Sequence, residues 1–137
     1  MKKQIICFIG AIFLVLWTSA CSPSKKTAER VANEWLKVVD AGNYAQSWDS
    51  GASIFKLAVA KEQWLQILGN NRAPLGAVAS REIESAEYTS DLPGAPDGEY
   101  YVIRYASTFA NRKPVTETVT SVLDRDGKWR VAVYVVK

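Results

Sequence analysis

At Gly76 the spacing of apolar residues changes, and that break divides the chain into a helical half and a strand half. Before it, Ala28, Val31, Ala32, Trp35, Val38 and Val39 recur at intervals of three and four, while Glu29, Arg30, Asn33, Glu34 and Lys37 take the other face. This spacing predicts an amphipathic helix that begins at an N-cap on Thr27 and ends at Gly42. Tyr44 and Trp48, four apart, predict a short second helix closed by Gly51, with Ile54, Leu57 and Ala58 continuing the pattern. A third helix is expected from about Lys61, with Trp64, Leu65, Ile67 and Leu68 as its apolar stripe and Gly69, Asn70, Asn71 and Pro74 as its stop.

After Gly76, β-branched and aromatic residues dominate, and strands are expected at roughly 78–89, 99–110, 114–124 and 128–136. Pro93-Gly94 and Asp97-Gly98 mark the first connection, Asn111-Arg112-Lys113 the second and Arg125-Asp126-Gly127 the third. Short links make the last three strands antiparallel hairpins. With three-residue turns, the Gly127 one of G1-bulge type, one sheet face collects Tyr101, Ile103, Tyr105, Phe109, Val115, Val119, Leu123, Trp129, Val131, Val133 and Val135. The other face then holds Arg104, Thr108, Thr116, Thr118, Thr120, Arg130 and Tyr134. The fold class is α+β: three N-terminal helices packed on one face of a curved four-stranded antiparallel sheet. Trp35 and Trp129 are expected to meet between the first helix and that sheet.

The N-terminus stands apart from this domain. Lys2 and Lys3, an apolar run from Ile5 to Trp17, and the small residues Thr18, Ser19 and Ala20 have the three-part form of an export signal, and the run is too short to span a bilayer stably. Cys21 follows at the position where a bacterial lipobox carries its lipid acceptor, and the segment resembles that motif with Thr18 in place of the usual Leu. The expectation is a signal peptide over 1–20, a lipidated Cys21 with a polar tether through Lys26, and a single domain over 27–137. Ordinary cleavage would instead leave an unpaired thiol exposed in an oxidising compartment. Ser22 after the cysteine resembles the outer-membrane sorting signal of Gram-negative envelopes.

Without the signal, the precursor's net charge of +3 falls to +1, so no basic patch argues for nucleic acid. Cys7 leaves with the signal and Cys21 is the only other cysteine, so no intramolecular disulfide forms and the domain relies on burial. Trp35, Trp48, Trp64 and Trp129 supply it; each ring buries ~150 to 250 Å², on the order of 4 to 6 kcal/mol of gross transfer energy.

Across the mature chain, several runs resemble the bacterial domain of unknown function 4019. They include Ala28-Glu29-Arg30-Val31-Ala32, Asp40-Ala41-Gly42-Asn43-Tyr44, Ser47-Trp48, Lys61-Glu62-Gln63-Trp64, Arg72-Ala73-Pro74-Leu75-Gly76, Leu92-Pro93-Gly94-Ala95-Pro96-Asp97-Gly98 and Trp129-Arg130-Val131. The order of helices and then a meander also resembles the cystatin-like cone of nuclear transport factor two relatives. That fold hosts isomerases, dehydratases and inert binding modules, so the resemblance implies an architecture without choosing a chemistry.

The residues themselves argue against most catalytic chemistry. The chain has no histidine, which removes the commonest general base, the Ser-His and Cys-His pairs and most zinc sites. Ser22-Pro23-Ser24-Lys25 fits Ser-x-x-Lys but lies beside the anchor, and Asp124-Arg125-Asp126-Gly127 is explained by a hairpin turn rather than a calcium loop. No metal or cofactor is expected.

One constellation stands out. In the register above, Glu117 falls on the apolar face across from Ser107, with Tyr105 and Ser121 on the same side. A carboxylate lining an apolar cone is a general base or a polar anchor for a ligand, which makes Tyr105, Ser107, Glu117 and Ser121 the candidate ligand-binding residues. The competing expectation, which isolated charges usually obey, is that the hairpin flares and leaves Glu117 in water or paired with Arg112 or Lys113. The sequence thus points to a non-enzymatic envelope lipoprotein that binds a protein partner or a small apolar ligand. The alternatives are an isomerase- or hydrolase-type enzyme using Glu117 and Tyr105, and a subunit that dimerises through its Thr-rich sheet face.

Overall fold

A computed structural model describes residues 23–137. Four helices, α1 (Pro23–Asp40), α2 (Tyr44–Asp49), α3 (Ser53–Ala58) and α4 (Lys61–Asn71), and a 3-10 turn (Ala73–Leu75) precede four strands. The strands β1 (Val78–Thr89), β2 (Tyr100–Phe109), β3 (Arg112–Leu123) and β4 (Trp129–Val136) form one antiparallel sheet in the order β1-β2-β3-β4. The protein is therefore α+β, with helices packed against an open four-stranded meander.

The helical half departs from expectation in three places. Helix α1 already includes residues 23–26, ahead of the N-cap expected at Thr27. Residues 53–58 make a helix of their own, giving four helices where three were expected. On α4 only Trp64 and Leu68 of the predicted stripe are buried, while Leu65 and Ile67 face outward.

The main core joins Ala28, Ala32, Trp35, Leu36 and Val39 of α1 to Phe55, Trp64 and Leu68 and to Tyr101, Ile103, Tyr105, Val119 and Val131 of the sheet. Trp35 packs edge-on against Tyr134 at 5.3 Å and lies 6.2 Å from Trp64. The ring contact of Trp129 is with Tyr101 instead, so the two tryptophans expected to meet each pack against other aromatic rings. Fully buried Ser47 ties the helices together: its carbonyl accepts from the Trp35 indole and its hydroxyl from the Trp64 indole, both at 2.9 Å.

Two irregularities set which side chains face the helices. At the β2–β3 hairpin the turn is the two-residue Ala110-Asn111, with Phe109 opposite Arg112. Ser107 then pairs with Val115, so β3 carries an extra residue at 113–114, beside a proline that cannot donate to a ladder. The Cα partner of Glu117 is thus Tyr105, not Ser107. This register differs by two residues from the expected one, which changes partners but preserves faces.

In β4, Ser121 pairs with Val131 but Thr120 with Val133, leaving Ala132 as a bulge. Beyond it the faces exchange. Tyr134, expected outside, comes opposite Val119 on the helix side, whereas Val133 and Val135, expected inside, lie with Thr120 and Thr118 on the other face. The outer face is not bare either: Ala52, Ile54, Leu92 and Ala95 pack there with Tyr100, Val122 and Val133, and Thr120 is buried. The β3–β4 turn follows expectation, with Gly127 in the left-handed region (φ +79°).

Candidate functional site

Glu117 is fully buried, contrary to the expectation of a solvated residue or a pair with Arg112 or Lys113. Its partner is Arg81, which β1 places opposite Ser107 on β2. The Arg81 guanidinium donates from Nε to Glu117 Oε2 at 2.6 Å and from Nη2 to Oε1 at 3.1 Å. Ser107 Oγ donates to Oε2 at 2.6 Å, and Tyr134 OH donates to Oε1 at 2.6 Å. A carboxylate offers about four lone-pair positions, and these four donors occupy them.

The network continues to the end of α1. Arg81 Nη1 donates to Asp40 Oδ2 at 2.6 Å and Nη2 to Oδ1 at 3.0 Å, while Arg72 Nη2 reaches Oδ1 at 3.0 Å. Two arginines therefore face two carboxylates, and the cluster is formally neutral. Burial by itself would raise the Asp40 carboxyl, but hydrogen bonds from Arg81 and then Arg72, with their charges, outweigh it and hold the group below its usual range. Arg81 likewise stays cationic: its burial is outweighed by the bonds to Asp40 and Glu117. Burial and then the Glu117 charge push the Tyr134 phenol well above its ordinary value, so it remains a donor.

The other predicted residues have partners of their own. Tyr105 OH donates to Asn33 Oδ1 at 2.8 Å, and desolvation raises its phenol well above the ordinary range. Ser121 Oγ donates to the Ala28 carbonyl at 3.1 Å. Ser107 and Glu117 meet directly, Tyr105 lies across the ladder from Glu117, and Ser121 is four pairs along, at the Ala28 end of α1. Tyr105 borders a cavity of about 330 Å³ with Asn33, Leu36, Lys37, Arg81 and Ile83. Cys21 lies outside the described residues.

Asp40, Arg72, Arg81 and Tyr134 belong to this centre and were not singled out from sequence. One signal for Asp40 was available: a carboxylate in the last turn of a helix opposes the helix dipole and calls for a cation. Arg81 gave no such signal, because β1 alternates weakly and is irregular at two places in its pairing.

The chain matches, over residues 31–134, the family described as protein of unknown function, DUF4019. It belongs to that family. No curated protein and no solved structure matches it. Several of the DUF4019-like runs fall on the ionic centre and its surroundings: Asp40 opens one, Arg72 another, and Ser47 and Trp64 the helical hydrogen bonds.

Proposed function

We propose that this DUF4019 protein is a non-enzymatic binding module carried on a lipidated Cys21 in the bacterial envelope, on the outer membrane and facing the periplasm. The saturation of Glu117 carries the non-enzymatic half of this reading. A general base needs a lone pair within reach of a substrate proton, and the carboxylate already accepts from Arg81, Ser107 and Tyr134. Tyr105, the proposed acid of the enzymatic alternative, is committed to Asn33. The helices-then-meander order supports the cystatin-like architecture, which hosts enzymes and binding modules alike and so leaves the choice to the state of Glu117.

The start of α1 supports a close anchor. Pro23 follows Cys21 by two residues, at most about 7 Å of extended chain. The 18 residues of α1 then span about 27 Å, with Ala28 beside Ser121 and Asp40 at the ionic centre. A lipid on Cys21 would hold the Ser121 end of the sheet near the membrane and present the Asp40 end to the periplasm.

The test is palmitate labelling with membrane fractionation. Wild-type protein is expected to incorporate label and resist a salt wash, since several acyl chains hold a protein stably, and Cys21→Ser is expected to be released. An unlabelled wild type, or a Cys21→Ser protein that stays bound, contradicts the anchor.

A further inference from the structure

At the Asp40 end of the domain, α4 and the last residues of β4 enclose a cavity of about 250 Å³. Trp64, Ile67 and Leu68 give it apolar walls, and Arg72, Arg112 and Tyr134 give it a polar side. We propose that this cavity binds a small apolar carboxylate, with the apolar body against Trp64, Ile67 and Leu68 and the carboxylate at Arg72 and Arg112.

Two observations select an anion. Arg72 is nearly fully buried, yet its Nε has no hydrogen-bond partner, although Nη1 donates to the Gly76 carbonyl and Nη2 to Asp40. A buried N–H left unpaired is costly, and a ligand oxygen that reached Nε as the cavity wall opened would relieve it. The charge count agrees. Asp40 and Glu117 balance Arg72 and Arg81, whereas the Arg112 side chain has no ion pair or hydrogen bond among the described residues. The wall of the cavity therefore carries one uncompensated positive charge next to apolar surface. Two arginines lining one cavity beside apolar side chains suit a carboxylate on an apolar body better than a sugar, a cation or a neutral lipid.

This proposal rests on reading the chain as a binding module but not on the anchor, so its test uses the full chain carrying Cys21→Ser. Octanoate and N-acetyl-leucine are titrated against their neutral amides, and backbone amide shifts are followed by NMR. The two acids distinguish a free aliphatic acid from the C-terminus of a peptide. At least one is expected to shift residues 64–72 and 134–136 saturably, with its amide bound about tenfold more weakly or worse. Arg112→Gln is expected to weaken that acid by a similar factor. Arg72→Gln also removes an ion pair of the fold, so Ile67→Glu, a half-exposed position that puts a like charge in the cavity, is the second variant and is expected to abolish binding. Failure of both acids to shift these residues overturns the proposal and leaves a hydrated gap. Equal binding of acid and amide overturns it as well.

Discussion

Tyr134 donates its hydroxyl proton to Glu117 at 2.6 Å from the neighbouring strand, a bond that exists only because the bulge at Ala132 turns Tyr134 toward the helices. One extra residue in β4 thus decides whether this tyrosine is an outward surface residue or a ligand of a buried carboxylate.

The first prediction follows from that bond. Tyr134→Phe keeps the ring contact with Trp35 and leaves Glu117 Oε1 with only the longer bond from Arg81. A hydrogen bond to a charged group contributes about 1.5 to 3 kcal/mol, so the variant is expected to lose that much in urea unfolding with an unchanged m-value. An outward Tyr134 would make the substitution nearly neutral.

The aromatic packing gives the second prediction. Trp35 is buried, touches two other aromatic rings and donates to the Ser47 carbonyl, so Trp35→Ala is expected to cost about 3 to 5 kcal/mol. Half-buried Trp129 has one ring partner, and Trp129→Ala is expected to cost less than Trp35→Ala. Thr118→Ala, on the outer face, is expected to fall within about 0.5 kcal/mol of wild type. Thermal melts of the three variants rank these sites, and equal melting temperatures contradict the assignment.

Acid unfolding carries the third. The Asp40 pKa lies below its ordinary 3.8 in the folded protein, so its contribution to stability is fully present above that value and is lost as pH falls through the lower folded value. Denaturant midpoints measured from pH 6 down to pH 2 are expected to fall less steeply below about pH 4 for Asp40→Asn than for wild type, from a lower starting stability. Parallel curves contradict the ion pairing of Asp40.

The main elements were legible in the sequence because local patterning and turn chemistry agreed. The strands fall within a few residues of their expected limits, and Gly127 makes the turn its position called for. The placement of Glu117 on the inner face was also legible, because the true hairpin register differs from the expected one by two residues and so keeps that face. What escaped was non-local. The bulge at Ala132 has no glycine to announce it, and it reversed the assignments of Tyr134, Val133 and Val135. The burial of Glu117 depends on Arg81, thirty-six residues away on an edge strand, and on Asp40 at the end of α1. A carboxylate with no partner visible in its own hairpin reads as solvated; only tertiary contact supplies the cation that lets it be buried.

The account turns on Glu117 being a structural ion pair of the interior rather than a free base, and a double-mutant cycle on Arg81 and Glu117 tests that most directly. Equilibrium unfolding is measured for Arg81→Met, Glu117→Leu and the double variant. Removing one partner strands a buried charge or its donors, so Arg81→Met is expected to lose about 3 to 5 kcal/mol. The double variant is expected to be more stable than the sum of the two losses by on the order of 2 kcal/mol. Two small, additive losses would mean that Glu117 does not depend on Arg81, and would contradict the account.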